Sequence, residues 1–161
     1  MNSAVVRERI TEEVIKIQET KKQLDKFVKE LENQEIEIYQ EALVDAIALN
    51  LHGFYTGVER IFQVIANQID YRKPTGDKWH SELLEQMSVD LPGIRQAVIS
   101  ENALLILDEL RRFRHVVRSV YSYQLKEQRV LDVVNQVFNF YDDLIREIED
   151  FCDSLSLEID R

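Results

Sequence analysis

The segment from Leu110 to Tyr121 concentrates side chains that can bind phosphate and contains no acidic residue. Its basic members are four arginines and one histidine: Arg111, Arg112, Arg114, His115 and Arg118. Guanidinium groups bind phosphate through paired hydrogen bonds and stabilise charge that develops on phosphorus during RNA cleavage. An aromatic ring such as Tyr121 can stack on a base. The segment predicts a local phosphate or RNA contact that needs no metal, and the alternative is that the arginines pair with acids of the same chain.

On a helix these residues separate into two stripes. One stripe is apolar and predicts the side that packs into the core: Ile106, Leu110, Phe113, Val117 and Val120. The other stripe is the arginine row, which consists of Arg111, Arg114 and Arg118. It lies about 100° around the helix from the apolar stripe, and Tyr121 is expected to continue it. The arginine row should therefore lie beside the core, in a groove or an interface. Its helix is expected to open at Ser100, as N-cap, and to run to about Tyr121 or Tyr123.

Length and composition favour one all-α domain. The chain has 161 residues, of which 45% are hydrophobic and 31% charged, with only four glycines and two prolines. This composition is typical of a single core built from helices with solvated faces. We expect an antiparallel bundle of about four to five helices over residues 1–161. Residues 1–34 would form a long amphipathic helix, and residues 35–161 the core of the bundle.

The spacing of apolar residues and the positions of helix-breaking residues predict where the helices begin and end. The apolar seam of the N-terminal helix is interrupted by Lys21, which favours a helix lying across its neighbours over a short coiled coil. The second helix is expected from about Glu35 to Asp70. It carries Gly53 and Gly57 on one face, where another helix could approach closely.

Two loops divide the remainder of the chain. Pro74 and Gly76 mark the first, Pro92 and Gly93 the second, and a short helix from Trp79 to Met87 is expected between them, with Asp77 as its cap. The last helix should run from about Gln128 to Leu155. Its inner side is predicted to consist of Leu131, Val134, Phe138, Tyr141, Ile145, Ile148 and Phe151.

Charge and cysteine content exclude several classes of function. The net charge of −10 argues against extended nucleic-acid binding, so no DNA partner is expected and any RNA contact should be local. Cys152 is the only cysteine, which excludes an intrachain disulfide and a cysteine-based metal site. No stretch resembles a signal peptide or a membrane span. A soluble protein of the cytoplasm without a membrane partner is therefore expected.

Other catalytic centres have little support in the sequence. The single cysteine and the scattered serines show no spacing typical of a nucleophile with its base. Glu12–Glu13 and Asp142–Asp143 lack the Glu-x-x-His pairs of carboxylate-bridged metal sites. His52 has no second histidine three or four residues away, so it is interpreted as a structural histidine rather than a ligand. No metal or other cofactor is expected.

The arginine row belongs to a longer segment that is similar to a known protein family. The string from Glu109 to Tyr121 resembles the HepT-like branch of the HEPN superfamily. Stretches upstream extend the likeness: Gly57–Phe62, Pro92–Arg95 and Ala97–Ser100. The resemblance spans roughly residues 43–155 and implies a small helical bundle that dimerises. Many proteins of this branch are metal-independent ribonuclease toxins encoded beside a minimal nucleotidyltransferase antitoxin.

The signature of this branch is only partly present. It consists of an arginine followed by Asn, Asp or His, a histidine five positions after the arginine, and a tyrosine two positions further. Arg114, His115 and Tyr121 are in register with it, but Ser119 stands at the histidine position. Serine does not titrate near neutral pH, so the acid–base role has no obvious occupant. His115, displaced by a helical turn of about 6 Å, is interpreted as a supporting polar group.

The resemblance implies roles for the individual residues. Catalytic positions would be Arg114, Ser119 and Tyr121, while RNA or phosphate would be bound by Arg111, Arg112, His115 and Arg118. Position 119 lies about 140° from Arg114 around one helix, so two facing copies are expected to complete a cleft across a two-fold axis. Tyr121 is the candidate acceptor of adenylate from the antitoxin. Cleavage is expected to be weakened or lost, and the alternative is a non-catalytic helical module that binds a nucleotidyltransferase or another protein.

Overall fold

The computed structural model describes residues 2–157, and this part of the chain is helical. Five α-helices are found in it: α1 (Ser3–Asn33), α2 (Glu37–Gln68), α3 (Trp79–Met87), α4 (Glu101–Ser119) and α5 (Glu127–Leu157). A short 3₁₀ helix, Ser122–Gln124, lies between α4 and α5. The prediction of an all-α bundle is confirmed. The ends of the predicted domain, residue 1 and residues 158–161, lie outside the described part.

A helical hairpin of α1 and α2, joined at residues 34–36, makes the most extensive contact between helices. A Cβ atom at Gly57 would lie 2.8 Å from Cγ1 of Ile17, so the two helices are closely packed there. Gly53 is exposed and has no neighbouring atom within 4 Å of such a Cβ. The prediction of close approach therefore holds for Gly57 and is wrong for Gly53. α1 also contacts α5.

The buried side of α5 is wider than the predicted one and rotated from it. Its buried residues include Val130, Val133, Val137, Phe140 and Leu144, none of which was predicted. Leu131, Phe138 and Tyr141 were predicted and are only half-buried. The physical reason is that α1, α2 and α4 all contact α5, so more than one stripe of the helix is covered. At one edge of this buried side, the Lys21 ammonium lies 4.7 Å and 5.1 Å from the ring centroids of Phe138 and Tyr141.

A buried ion pair fixes the segment between α3 and α4 to the end of α2. The guanidinium of Arg95 donates to both carboxylate oxygens of Asp70, at 2.6 Å and 2.7 Å. The Asp70 side chain is completely buried and that of Arg95 is 4% exposed. Arg95 also donates to the backbone carbonyls of Gln86 and Val89. Because the pair is satisfied on both sides, the burial of two charges is tolerated and the loop is held in one conformation.

The two predicted loops bound α3 as expected. Gly76 and Gly93 adopt φ values of +98° and +76°, which glycine accepts without strain. The N-cap of α3 is Lys78, with no capping side chain, so the predicted cap by Asp77 is wrong. Ser100, in contrast, accepts the backbone N–H of Ala103 at 3.2 Å and caps α4 as predicted. None of the described helices is both long and apolar enough to cross a membrane.

Candidate phosphate-binding site on α4

The arginine row lies on the flank of α4 next to α2. The helix buries Ala103, Leu107, Leu110 and Phe113 against the bundle, and the arginine row follows beside this face. Arg111 and Arg114 are half-buried, and Arg118 is exposed. The position beside the core is the one that the spacing predicts.

Arg114 rests on an aromatic ring of α2. Its guanidinium carbon lies 5.9 Å from the ring centroid of Tyr55, which is completely buried. A cation in this position is attracted to the face of the ring, and the attraction grows as water is excluded. The Nε of Arg114 is buried without a hydrogen-bond partner, as is the Tyr55 hydroxyl. In the described part of the chain no carboxylate forms an ion pair with Arg114, and the nearby buried carboxylate of Glu59 is bound to His80 instead.

Tyr55 belongs to a polar line on α2 that the sequence reasoning missed. His52, Tyr55 and Glu59 are three and four residues apart and therefore share one face. Glu59 is 5% exposed, and its Oε2 lies 2.6 Å from Nδ1 of His80 in α3. Burial, together with the neighbouring carboxylate of Glu59, raises the pKa of Tyr55 well above its ordinary value. The spacing of these three polar residues within an apolar helix could have predicted the polar line. Nothing in the sequence indicates that His80 pairs with it.

His52 occupies the end of this line that faces the arginines. Partial burial lowers the pKa of His52, and the charges of Arg114 and Arg118 lower it further, against a smaller opposing effect of Glu59. The ordinary pKa of histidine is about 6.5, so His52 is largely uncharged at neutral pH. The two arginines therefore face a neutral imidazole across the contact between α2 and α4.

The other two arginines share an acid on their own helix. Oδ1 of Asp108 accepts from Nε of Arg111 at 2.9 Å, and Oδ2 accepts from Nη2 of Arg112 at 2.6 Å. Partial burial raises the pKa of Asp108, but the hydrogen bonds from Arg112 and Arg111 outweigh it, so the pKa is lowered overall. The alternative interpretation, that the arginines pair with acids of the same chain, therefore holds for Arg111 and Arg112. Arg118 has no acidic partner within residues 2–157.

α4 ends before the predicted boundary. Val120 is extended, with φ −115° and ψ 158°, and the backbone N–H of Tyr121 donates to the side chain of Gln124 at 3.0 Å instead of to the helix. Tyr121 therefore does not continue the arginine row, and that prediction is wrong. Its ring is 73% exposed and stacks on Tyr123, with centroids 5.8 Å apart and planes 5° apart. Two exposed parallel rings beside arginines form a surface suited to stacking on bases.

Ser119 is the last residue of α4 and is exposed. Its hydroxyl donates to the carbonyl oxygen of His115 at 2.8 Å, so it is satisfied by its own helix. His115 is exposed on the same helix. Arg114 lies toward α2, whereas Ser119 lies about 140° away around α4. One chain therefore does not bring Arg114, Ser119 and Tyr121 together in one pocket.

The site lies on the surface of α4, apart from the two best-defined grooves of residues 2–157. A groove of about 1170 Å³ lies elsewhere, between residues 90–100 and the C-terminal part of α5, and contains no member of the arginine row. Among the described residues, no group of three His, Cys, Asp or Glu side chains is arranged to hold a metal ion. The chemistry available here is that of guanidinium, imidazole, hydroxyl and phenol groups.

Comparison with known proteins gives the context of this surface. The family model described as HepT-like protein matches residues 46–155, about two thirds of the chain. The matched part includes the polar line of α2, all of α3 and α4 and most of α5, but not α1. No curated protein and no solved structure matches the chain. Because the match covers the arginine row together with the helices that position it, the chain belongs to the HepT-like family, as the resemblance predicted.

Proposed function

We propose that this HepT-like protein binds RNA in a cleft formed by the α4 helices of two copies. We also propose that its metal-independent cleavage of RNA is weakened because Ser119 stands at the histidine position. The observation that carries the proposal is the guanidinium of Arg114, which is seated on the buried ring of Tyr55 without an acidic partner in the described chain. An arginine that is seated on a buried ring and has no ion-pair partner, in a protein of net charge −10, is available to an anion from outside the chain. It is suited to a phosphate, which it can bind through two hydrogen bonds.

Neighbouring groups support an RNA ligand over a free phosphate ion. Arg118 adds a second cation on the same flank of α4, with no acidic partner among the described residues, and Tyr121 and Tyr123 add the stacked rings beyond its end. Cations that follow a backbone and aromatic rings that accept bases are the usual combination in sites for single-stranded nucleic acid. The overall negative charge confines the contact to this patch.

The outer side of α4 supports a second copy as the other half of the cleft. Leu105, Arg112, Val116 and Ser119 lie within about 60° of one another around the helix. Leu105 is 71% exposed and Val116 is 45% exposed. Packing this side on its own counterpart would cover the two apolar residues and place Ser119 of both chains at the interface.

The exposed Tyr121 supports regulation by a nucleotidyltransferase. Its phenol is accessible, and an adenylate on it would place a phosphate charge beside the arginines and occupy the base-stacking surface. A partner enzyme of this kind is proposed from the family. The same surface serves the alternative proposal, a non-catalytic module that binds a nucleotidyltransferase or another protein. That alternative predicts salt-sensitive association with the protein partner and no affinity for RNA.

Fluorescence anisotropy with labelled single-stranded RNA in EDTA tests the binding. Arg114→Ala should reduce affinity at least tenfold and reduce the slope of log affinity against log salt by about 1. Arg146→Ala is the matched control, because Arg146 is an exposed helix arginine that pairs with Asp143 on α5. It should leave affinity within about twofold. An absence of RNA binding at low salt, or equal effects of the two variants, would contradict the proposal.

Light scattering during size-exclusion chromatography tests the cleft. A dimer is expected at micromolar concentration, and Leu105→Glu should shift it to a monomer and weaken RNA binding. A wild-type protein that remains monomeric would rule out a composite cleft. Ser119→His should increase RNA cleavage, since it restores the titratable group of the signature.

A further inference from the structure

We infer that His52 of α2 acts as the proton acceptor and donor for residual RNA cleavage at the α4 site, in place of the histidine that Ser119 replaces. This inference rests on the proposed function and extends it to a residue outside the signature. His52 is remote from Ser119 in sequence, and the helix contact places it beside the arginines.

The geometry follows from the contact between α2 and α4. His52 precedes Tyr55 by three residues on the same face of α2, about 4.5 Å along the axis, and Tyr55 carries the guanidinium of Arg114 at 5.9 Å. The charges of Arg111 and Arg114 act on Tyr55, whereas those of Arg114 and Arg118 act on His52. His52 therefore lies about one helical turn from Tyr55 along the same contact between α2 and α4, near enough for the charges of Arg114 and Arg118 to act on it.

The other histidines are less suited to this role. The chain has three, and the imidazole of His80 is bound to the buried carboxylate of Glu59 at 2.6 Å. His115 is exposed on α4 itself, toward solvent, rather than across the contact from the arginine row. His52 is half-buried, so part of its ring is reachable from solvent.

The groups around His52 keep its imidazole ready to accept a proton. Arg114 and Arg118 face it from α4, and Glu59 faces it from its own helix. Burial and the two arginines disfavour the charged ring more than Glu59 favours it, so the neutral form predominates at neutral pH. An uncharged imidazole can act as the general base of RNA transesterification, and neighbouring guanidiniums can stabilise the charge that develops on phosphorus.

The reaction balances without any further reactant. His52 takes the proton from a ribose 2′-hydroxyl, and the 2′-oxygen attacks the adjacent phosphorus. The bond from phosphorus to the 5′-oxygen then breaks, and the leaving oxygen takes the proton back from the imidazolium. The products are a 2′,3′-cyclic phosphate and a 5′-hydroxyl, and the imidazole is regenerated. Arg114 and Arg118 stabilise the extra negative charge on the phosphorane.

The experiment measures cleavage and binding of the same labelled single-stranded RNA in EDTA, with cyclic-phosphate ends as the product. His52→Gln should reduce the cleavage rate constant by roughly 100-fold or more, with RNA affinity within about twofold of wild type. Arg146→Ala, the control already used for binding, should change the rate constant less than about threefold. Arg114→Ala should abolish cleavage, which identifies the activity as that of this chain and not of a contaminating ribonuclease.

Two further measurements separate a chemical role from a structural one. The wild-type rate should rise with pH through an apparent pKa below about 6.5, and this rise should be absent in His52→Gln. Free imidazole should restore cleavage to His52→Ala. Wild-type protein that binds RNA but forms no cyclic phosphate overturns the inference and leaves the proposed binding intact. Equal cleavage by His52→Gln and wild type also overturns it, whereas failure to bind RNA overturns the proposed function on which the inference rests.

Discussion

Gly57→Ala is the substitution that tests the packing of α1 on α2 most directly. A Cβ atom at position 57 would lie 2.8 Å from Cγ1 and 3.3 Å from Cδ1 of Ile17. Carbon atoms in favourable contact are about 3.5–4.0 Å apart, so α1 or the Ile17 side chain must move. Ile17 is only 1% exposed, and the surrounding core leaves it little room.

The expected magnitude has two opposing parts. Alanine is favoured over glycine inside a helix by about 1 kcal/mol, whereas an extra carbon in a packed core costs about 1–3 kcal/mol. Gly57→Ala should therefore lower the free energy of unfolding by about 0–2 kcal/mol. Gly53→Ala should raise it by about 1 kcal/mol, because Gly53 is exposed and no atom lies within 4 Å of the position that the alanine methyl group would occupy. The difference between the two variants isolates the steric part.

Urea denaturation of both variants and wild type gives these free energies, provided that the slope against urea is unchanged. Ile17→Ala combined with Gly57→Ala should be less destabilising than the sum of the single changes, because the new methyl group enters the space that Ile17 leaves. If both alanine variants are stabilised equally, α1 does not pack on α2 at Gly57. The test is independent of the family match, since Ile17 lies outside residues 46–155.

Three further predictions follow. Asp70→Ala should lower the free energy of unfolding by about 3–5 kcal/mol in urea denaturation, because it leaves the buried guanidinium of Arg95 unpaired; a loss below about 1 kcal/mol would show that the pair is solvated. Asp108→Asn should raise RNA affinity a few-fold and steepen its salt dependence by releasing Arg111 and Arg112, and unchanged binding would count against a role of these two arginines. The pKa of His52 is lowered in the fold, so the unfolded chain binds more protons and stability should fall as pH drops through about 6.5, levelling off below the folded pKa. His52→Gln should remove that part of the loss when free energies of unfolding at about pH 7.5 and pH 5 are compared, and an unchanged pH dependence would refute it.

Local signals in the sequence were sufficient for most of the helix boundaries. Proline and glycine bracket α3, and Ser100 opens α4 through a cap that depends only on neighbouring backbone. The arginine row also follows from spacing alone, because its position relative to the buried face is fixed by helix geometry.

Features that depend on contacts between distant segments were not predictable in this way. The pairs Asp70–Arg95 and Glu59–His80 join residues more than 20 positions apart, and no local pattern links them. The buried side of α5 was misjudged because three helices cover it, whereas a single periodic series describes only one partner. The helical spacing of the arginine row predicts Tyr121 on α4, but in the structure its backbone N–H donates to the side chain of Gln124.

The exposed position of Ser119 has an evolutionary consequence. Its hydroxyl bonds to carbonyl oxygens of the preceding turn of α4, and surface substitutions of this kind usually change stability by less than about 0.5 kcal/mol. Folding therefore places almost no constraint on which residue stands at position 119. An exchange of histidine and serine there is neutral for stability, so the weakening of cleavage that we propose would need no compensating change in the scaffold.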